Sequence, residues 1–141
     1  GDEKPTEAHF RILYPEVADP GEFELVDACS DANPARPELL FQQLLRQGKS
    51  PFMLLAMIGR VFSNYRIIQN LQRQGRPDGQ IRELLKMPPW VFSKNLSATR
   101  RYKSANLARH SEAILLADSK LKNRSLGPEA IFSELFSSLR P

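Results

Sequence analysis

Leu54, Ile58, Val61, Tyr65 and Ile68 follow one another at intervals of four, three, four and three residues, the spacing of an apolar stripe along one face of an α-helix. Ser50-Pro51 just ahead supplies a hydroxyl N-cap and a proline for the first turn, and Gly75 closes the pattern, so a long helix is predicted over 51–74. Its first half, from Phe52 to Phe62, is apolar nearly all round and is expected to be buried on several sides. Its second half carries Arg66, Gln69, Gln72 and Arg73 and is expected to emerge into solvent.

The same reading continues on both sides. Phe23, Val26 and Ala28 give an apolar side to a short helix over 22–31. Leu40, Phe41, Leu44 and Leu45 give one to a helix over 37–47, stopped by Gly48. Pro77 opens a short helix with Ile81, Leu84 and Leu85, which Pro88-Pro89 breaks. Trp90, Val91, Phe92 and Leu96 start another that runs to Tyr102. A helix over 104–122 carries Leu107, Ile114, Leu115 and Leu121, and Gly127-Pro128 starts a last one lined by Ile131, Phe132, Leu135, Phe136 and Leu139. No β alternation and no repeat of fixed period interrupts this. The pattern predicts an all-α helical bundle of about six to seven helices. Residues 1–21, with Pro5, Pro15, Pro20, Gly21 and many charges, read as a linker or the end of a preceding domain. Phe10, Ile12, Leu13, Tyr14 and Val17 could still form a short packed element there, and Gly1 in place of Met suggests a piece of a longer protein.

Composition narrows the function classes. At 141 residues and 41% apolar content the chain is one ordinary domain with a real core. The single cysteine, Cys29, excludes an internal disulfide and a cysteine-rich zinc site, reads as a small buried thiol, and fits a reducing cytoplasm. No stretch reaches 18 uninterrupted apolar residues, so no membrane span is expected. Charge is unevenly spread: residues 1–38 hold ten acids against three bases, and the remainder holds seventeen bases against six acids. An acidic front and a basic body suggest a neighbour that is nucleic acid or an acidic protein, or else simply a solvated helical surface.

Catalytic chemistry finds no constellation. His9 and His110 are the two histidines, far apart and expected on the surface, and no HExxH, CxxC, Gly-x-Ser-x-Gly, P-loop or GxGxxG occurs. No catalytic residue, metal ligand or cofactor is therefore assigned. Asp118 stands out because it falls on the stripe of Leu107, Ser111, Ile114 and Leu121, where a carboxylate is costly unless paired. Lys122 is at the i+4 position and Arg60 is the odd charge in the most apolar helix, so a semi-buried ion pair of Asp118 with Arg60 or Lys122 is expected. Such a pair makes Asp118→Ala cost about 3–5 kcal/mol. Lys94, Arg100, Arg101, Lys103 and Arg109 interleave with Trp90, Phe92 and Tyr102. With the helix before them they superficially form a helix-turn-helix over 80–109, and non-specific phosphate contact is the simpler reading. Trp90 reads first as a core anchor and second as an interface hot spot.

Several separated segments also carry a family resemblance. Glu22-Phe23-Glu24-Leu25-Val26-Asp27-Ala28 resembles an F-x-L-V-D-A segment, and Leu44-Leu45-Arg46-Gln47-Gly48-Lys49-Ser50-Pro51 resembles L-L-x-x-G-x-x-P. Leu54 to Phe62, with Arg60, resembles L-x-x-I-x-R-x-F, and Ile81-Arg82-Glu83-Leu84-Leu85 with the following Pro89 to Val91 resembles another conserved-order turn of the same family. Leu116-Ala117-Asp118 with Lys122 resembles L-x-x-x-D-x-x-x-K. In this order, over about 22–139, they resemble the C-terminal collar domain of the delta subunit of bacterial DNA polymerase III. Met87-Pro88-Pro89-Trp90 is more proline-rich than that pattern. The resemblance implies a non-catalytic domain, here residues 22–141, that assembles with gamma/tau and delta-prime subunits into the collar of a clamp loader. Residues 1–21 would end the preceding lid domain, and the element that grips the sliding clamp would lie in upstream domains. Candidate contact residues for such a collar are Phe52, Tyr65, Trp90, Phe92, Phe132 and Phe136, less those that belong to the core.

Overall fold

A computed structural model describes residues 20–124 and 126–141 of the chain. The expectations for His9 and for a packed element at Phe10 to Val17 lie outside these residues. Seven helices and no strand are present among the described residues: α1 (Pro20–Ala28), α2 (Ala35–Arg46), α3 (Pro51–Arg73), α4 (Asp78–Leu85), α5 (Pro89–Thr99), α6 (Ser104–Asn123) and α7 (Pro128–Ser138). The bundle is all-α, as the periodicity predicts.

Helix ends follow local chemistry. Ser50 Oγ accepts the Met53 N–H at 3.4 Å and caps α3, with Pro51 at the first helical position. Gly48 takes φ +87° after α2, and the Lys49 N–H donates to the Leu44 carbonyl at 3.0 Å, which closes the last turn with the left-handed residue only glycine adopts freely. Two boundaries differ from the expected ones, the first for a local reason and the second for a tertiary one. Asn33 Oδ1 accepts the Ala35 N–H at 3.0 Å, so α2 begins at Ala35, before Pro37. α5 stops at Thr99 rather than Tyr102, because the Gln69 amide donates from α3 to the carbonyls of Thr99 at 3.3 Å and Tyr102 at 2.7 Å. Pro20 and Gly21 form the start of α1.

The long α3 is the axis of the bundle. It packs against α6, α5, α1 and α4, while α7 bridges α6 to α2 and α2 packs on α1, so five helices close a ring around one core. The predicted stripe is the core face of α3: Leu54, Ile58, Val61, Tyr65 and Ile68 are all buried, joined by Leu55, Met57 and Phe62. The first half of α3 is not buried all round, however, since Phe52, Met53, Ala56 and Arg60 share an open side. Two aromatic nodes fill the interior. Phe41 stacks on Phe132 at 4.0 Å between centroids with Phe136 edge-on at 5.9 Å. Phe62, Tyr65, Tyr102 and His110 form the other, with Phe62 to Tyr102 at 5.4 Å and Phe62 to His110 at 5.8 Å. The Tyr102 hydroxyl donates to the Leu139 carbonyl at 3.1 Å, which ties the α5–α6 turn to the end of α7.

Candidate assembly surface

Helical periodicity brings an apolar side chain to a face, and packing then decides whether that face is covered. Of the six aromatic candidates for a contact surface, four belong to the core: Tyr65, Phe92, Phe132 and Phe136 are all buried. Phe132 and Phe136 are needed to meet Phe41, and Tyr65 to meet Phe62. Phe52 and Trp90 remain at the surface. Trp90 is half exposed and is therefore not the core anchor expected of it; it lies beside Phe23 at 6.0 Å, at the outer edge of α1 and α5.

Other exposed apolar residues complete the surface. Met53 is 71% exposed and Leu115 70%, with Ile67 and Leu116 also open to solvent. The consecutive Ile114-Leu115-Leu116 was the available signal for α6. Three successive residues span about 200° of a helix, so they cannot all face one core. Ile114 turns inward and the two leucines turn out. Leu39, Leu84 and Leu126 are exposed elsewhere.

Asp118 does not form the expected semi-buried ion pair. It pairs with Lys122 at 2.8 Å, but the two side chains are 41% and 67% exposed, and Arg60 takes no part. Arg60 is exposed and makes no ion pair among the described residues. The Asp118 position is instead tolerated because the edge of α6 there opens to water. Asp118→Ala is accordingly expected to change stability by less than about 1 kcal/mol, the range of an exposed i,i+4 pair, as read by urea denaturation.

The basic residues are distributed rather than gathered on one reading helix. Lys94 lies over the Phe23 ring at 5.8 Å from its centroid. Arg101 is held by Asp27 at 3.5 Å and by the Ser30 hydroxyl, and Arg109 donates to Asn106. Arg100 and Lys103 stand exposed in the α5–α6 turn. The outer face of α5 is Trp90, Ser93, Lys94 and Ser97, with Lys94 its one cation, while Arg100, Arg101 and Lys103 lie beyond its end. The acidic front is partly consumed within the chain: Arg36 meets Asp31 at 2.9 Å and Glu24 and Asp27 at longer range, and Lys49 meets Glu22 at 3.2 Å.

His110 is buried, not at the surface. It sits edge-on to both Phe62 and Tyr102, and its Nε2 has no hydrogen-bond partner among the described residues. Burial holds its pKa below the ordinary value of 6.5, Arg109 adds to this, and hydrogen bonding to the backbone at Arg140 and Ser138 opposes it. The unfolded chain therefore takes up this proton first as pH falls. Stability is expected to decline from near the ordinary value of 6.5 down to the folded-state pKa and then to level off, with a slope of at most about 1.4 kcal/mol per pH unit for one proton. Denaturation of wild type and His110→Phe across that pH range isolates the contribution, which the variant should lack. Burial also pushes the Cys29 thiol up to about 12, consistent with an inert core thiol. No group of three or more metal-ligating side chains occurs among the described residues.

The described residues thus form a closed helical core with apolar side chains left outside it. The model of the family described as DNA polymerase III delta subunit, C-terminal domain, matches residues 21–139, and the chain belongs to that family. The fold is similar to that of the Bacillus subtilis DNA clamp loader delta protein (YqeN), with a TM-score of 0.74 at 20% identity, over 84% of this chain and 35% of that one. The chain thus spans about a third of the length of that protein. No curated protein matches at a significant level.

Proposed function

We propose that this chain is the non-catalytic collar domain of a delta subunit, through which that subunit takes its place beside gamma/tau and delta-prime in a cytoplasmic bacterial clamp loader. The observation that carries this reading is the set of apolar side chains left outside a completed core. Met53 and Leu115 are each at least 70% exposed, although the ring of helices is closed without them. Exposed apolar groups of this size on rigid helices suit association with similar helical modules. Gripping of the sliding clamp belongs, on this reading, to domains outside this chain. No helix among the described residues is long and apolar enough to cross a membrane.

The test is size-exclusion chromatography with light scattering on the full-length subunit, alone and mixed with the other loader subunits of the same organism. Entry into a defined hetero-oligomer without DNA supports the proposal. A second reading, phosphate contact, draws on Arg100 and Lys103 in the α5–α6 turn, which lack an acidic partner among the described residues. A subunit that ignores the other loader proteins yet binds short duplexes with a steep salt dependence would favour it.

A further inference from the structure

The open side of α3 repeats the spacing of its buried side. Met53, Ala56, Arg60, Ser63, Ile67 and Asn70 succeed one another at intervals of three, four, three, four and three, and every one is exposed. Met53, Ala56 and Ile67 are the apolar members of this face and Arg60, Ser63 and Asn70 the polar ones, over about 25 Å at 1.5 Å per residue. α6 runs antiparallel beside it, with Gly59 facing Ile114 and Phe62 facing His110. Between the two lies an open cleft of about 600 Å³, floored by Ala56, Gly59 and Ile114 and walled by Leu115 and Ser111. The small residues keep the floor low, so that a third helix can approach closely. Leu115 supplies an apolar contact in the cleft, and Met53 and Ile67 extend the exposed face of α3 beyond it.

The charges of the cleft select the occupant. Among the described residues, Arg60 stands in the middle of the seam without an acid, and Arg66 on the rim donates to the Ser111 hydroxyl at 3.2 Å and meets no acid. Of the two carboxylates of α6, Asp118 is already held by Lys122, and Glu112 stands exposed next to Ser111. A second copy of this chain would set Arg60 and Arg66 of each protomer against a single unpaired acid of the other, Glu112, and so leave a surplus of cations, which disfavours self-association through this seam.

We infer that the α3–α6 cleft receives a single amphipathic helix of another protein, with apolar residues at heptad spacing and an Asp or Glu placed opposite Arg60. The inference rests on the assembly reading for the source of that helix, a neighbouring loader subunit. Apolar burial along the seam would supply affinity, and the Arg60–carboxylate pair would set register and partner choice.

The experiment uses the full-length subunit with the other loader subunits, a photo-reactive benzophenone amino acid at Ser63, and the variant Arg60→Glu. The expected result is a cross-link from position 63 to a helical, acid-bearing segment of another subunit. Arg60→Glu should weaken association about tenfold or more, as loss and reversal of a buried charge contact does, with unchanged thermal stability because Arg60 is exposed. Reversing the charge of the cross-linked acid should restore association. An assembled complex in which position 63 cross-links nothing and Arg60→Glu binds like wild type overturns this inference while leaving the assembly reading intact. Cross-links to a second copy or to nucleic acid also overturn it. Failure of the wild-type subunit to assemble at all removes both.

Discussion

Phe132→Ala is expected to lower folding stability by about 3–5 kcal/mol, the usual cost of removing a fully buried phenylalanine. Phe132 is completely buried on α7 and stacked at 4.0 Å on Phe41 of α2, with Phe136 at 5.8 Å on its other side. Truncation removes one of three mutually packed rings. Neither α2 nor α7 can move in to fill the space without losing its own contacts to α1 and α6, so most of the cavity should persist. Domain stabilities are typically about 5–15 kcal/mol, and the loss is therefore a large share of the total. Urea denaturation followed by circular dichroism should show a lower midpoint with an unchanged slope. Phe132→Leu, which keeps much of the volume, should recover part of the loss. If Phe132→Ala were as stable as wild type but failed to assemble with other subunits, Phe132 would belong to an interface after all.

Phe62→Ala is expected to cost a similar amount, about 3–5 kcal/mol, and to do something else as well. Phe62 comes from α3 and meets Tyr65, Tyr102 and His110, so it holds the α5–α6 turn and α6 against the central helix. Its ring is one of the two apolar walls that keep His110 dry. Admitting water there weakens the largest cause of the depressed His110 pKa, which is burial. The folded-state pKa should then rise toward 6.5, and the acid-side loss of stability described above should shrink. Titration of the His110 ring by NMR in wild type and Phe62→Ala reads this directly. A ring pKa that stays put in the variant would mean that Phe62 is not what excludes water from His110.

Both predictions concern residues that were visible in the sequence as helix-face aromatics, and they show where sequence reasoning stopped. Phe132 and Phe52 look alike as apolar positions on predicted helices. One has Phe41 across from it and the other has solvent, and only the packing of α2 against α7 makes that distinction. His110 had no polar partner in sequence and read as a surface residue. It is buried because α6 turns it toward Phe62 and Tyr102, which lie 48 and 8 residues away along the chain. Asp118 and Lys122 were legible as an i,i+4 pair, since that spacing is a property of one helix. Their exposure depended on which face of α6 its neighbours cover, since Ala117 and Leu121 on the same turns are buried.

The sequence by itself determined the strand-free character of the domain with about six to seven helices, the N-cap and proline start of α3, the glycine stop of α2 and the apolar stripe of α3. Each of these rests on local spacing or on a residue's own conformational preference. The tertiary structure decided which aromatic residues are core, how the acidic front pairs with Arg36, Lys49 and Arg101, and that α3 carries a second seam at the same spacing on its open side. A helix repeats every 3.6 residues on all its faces, so periodicity marks a face as fit for packing, and only the arrangement of the other helices leaves one of two such faces uncovered.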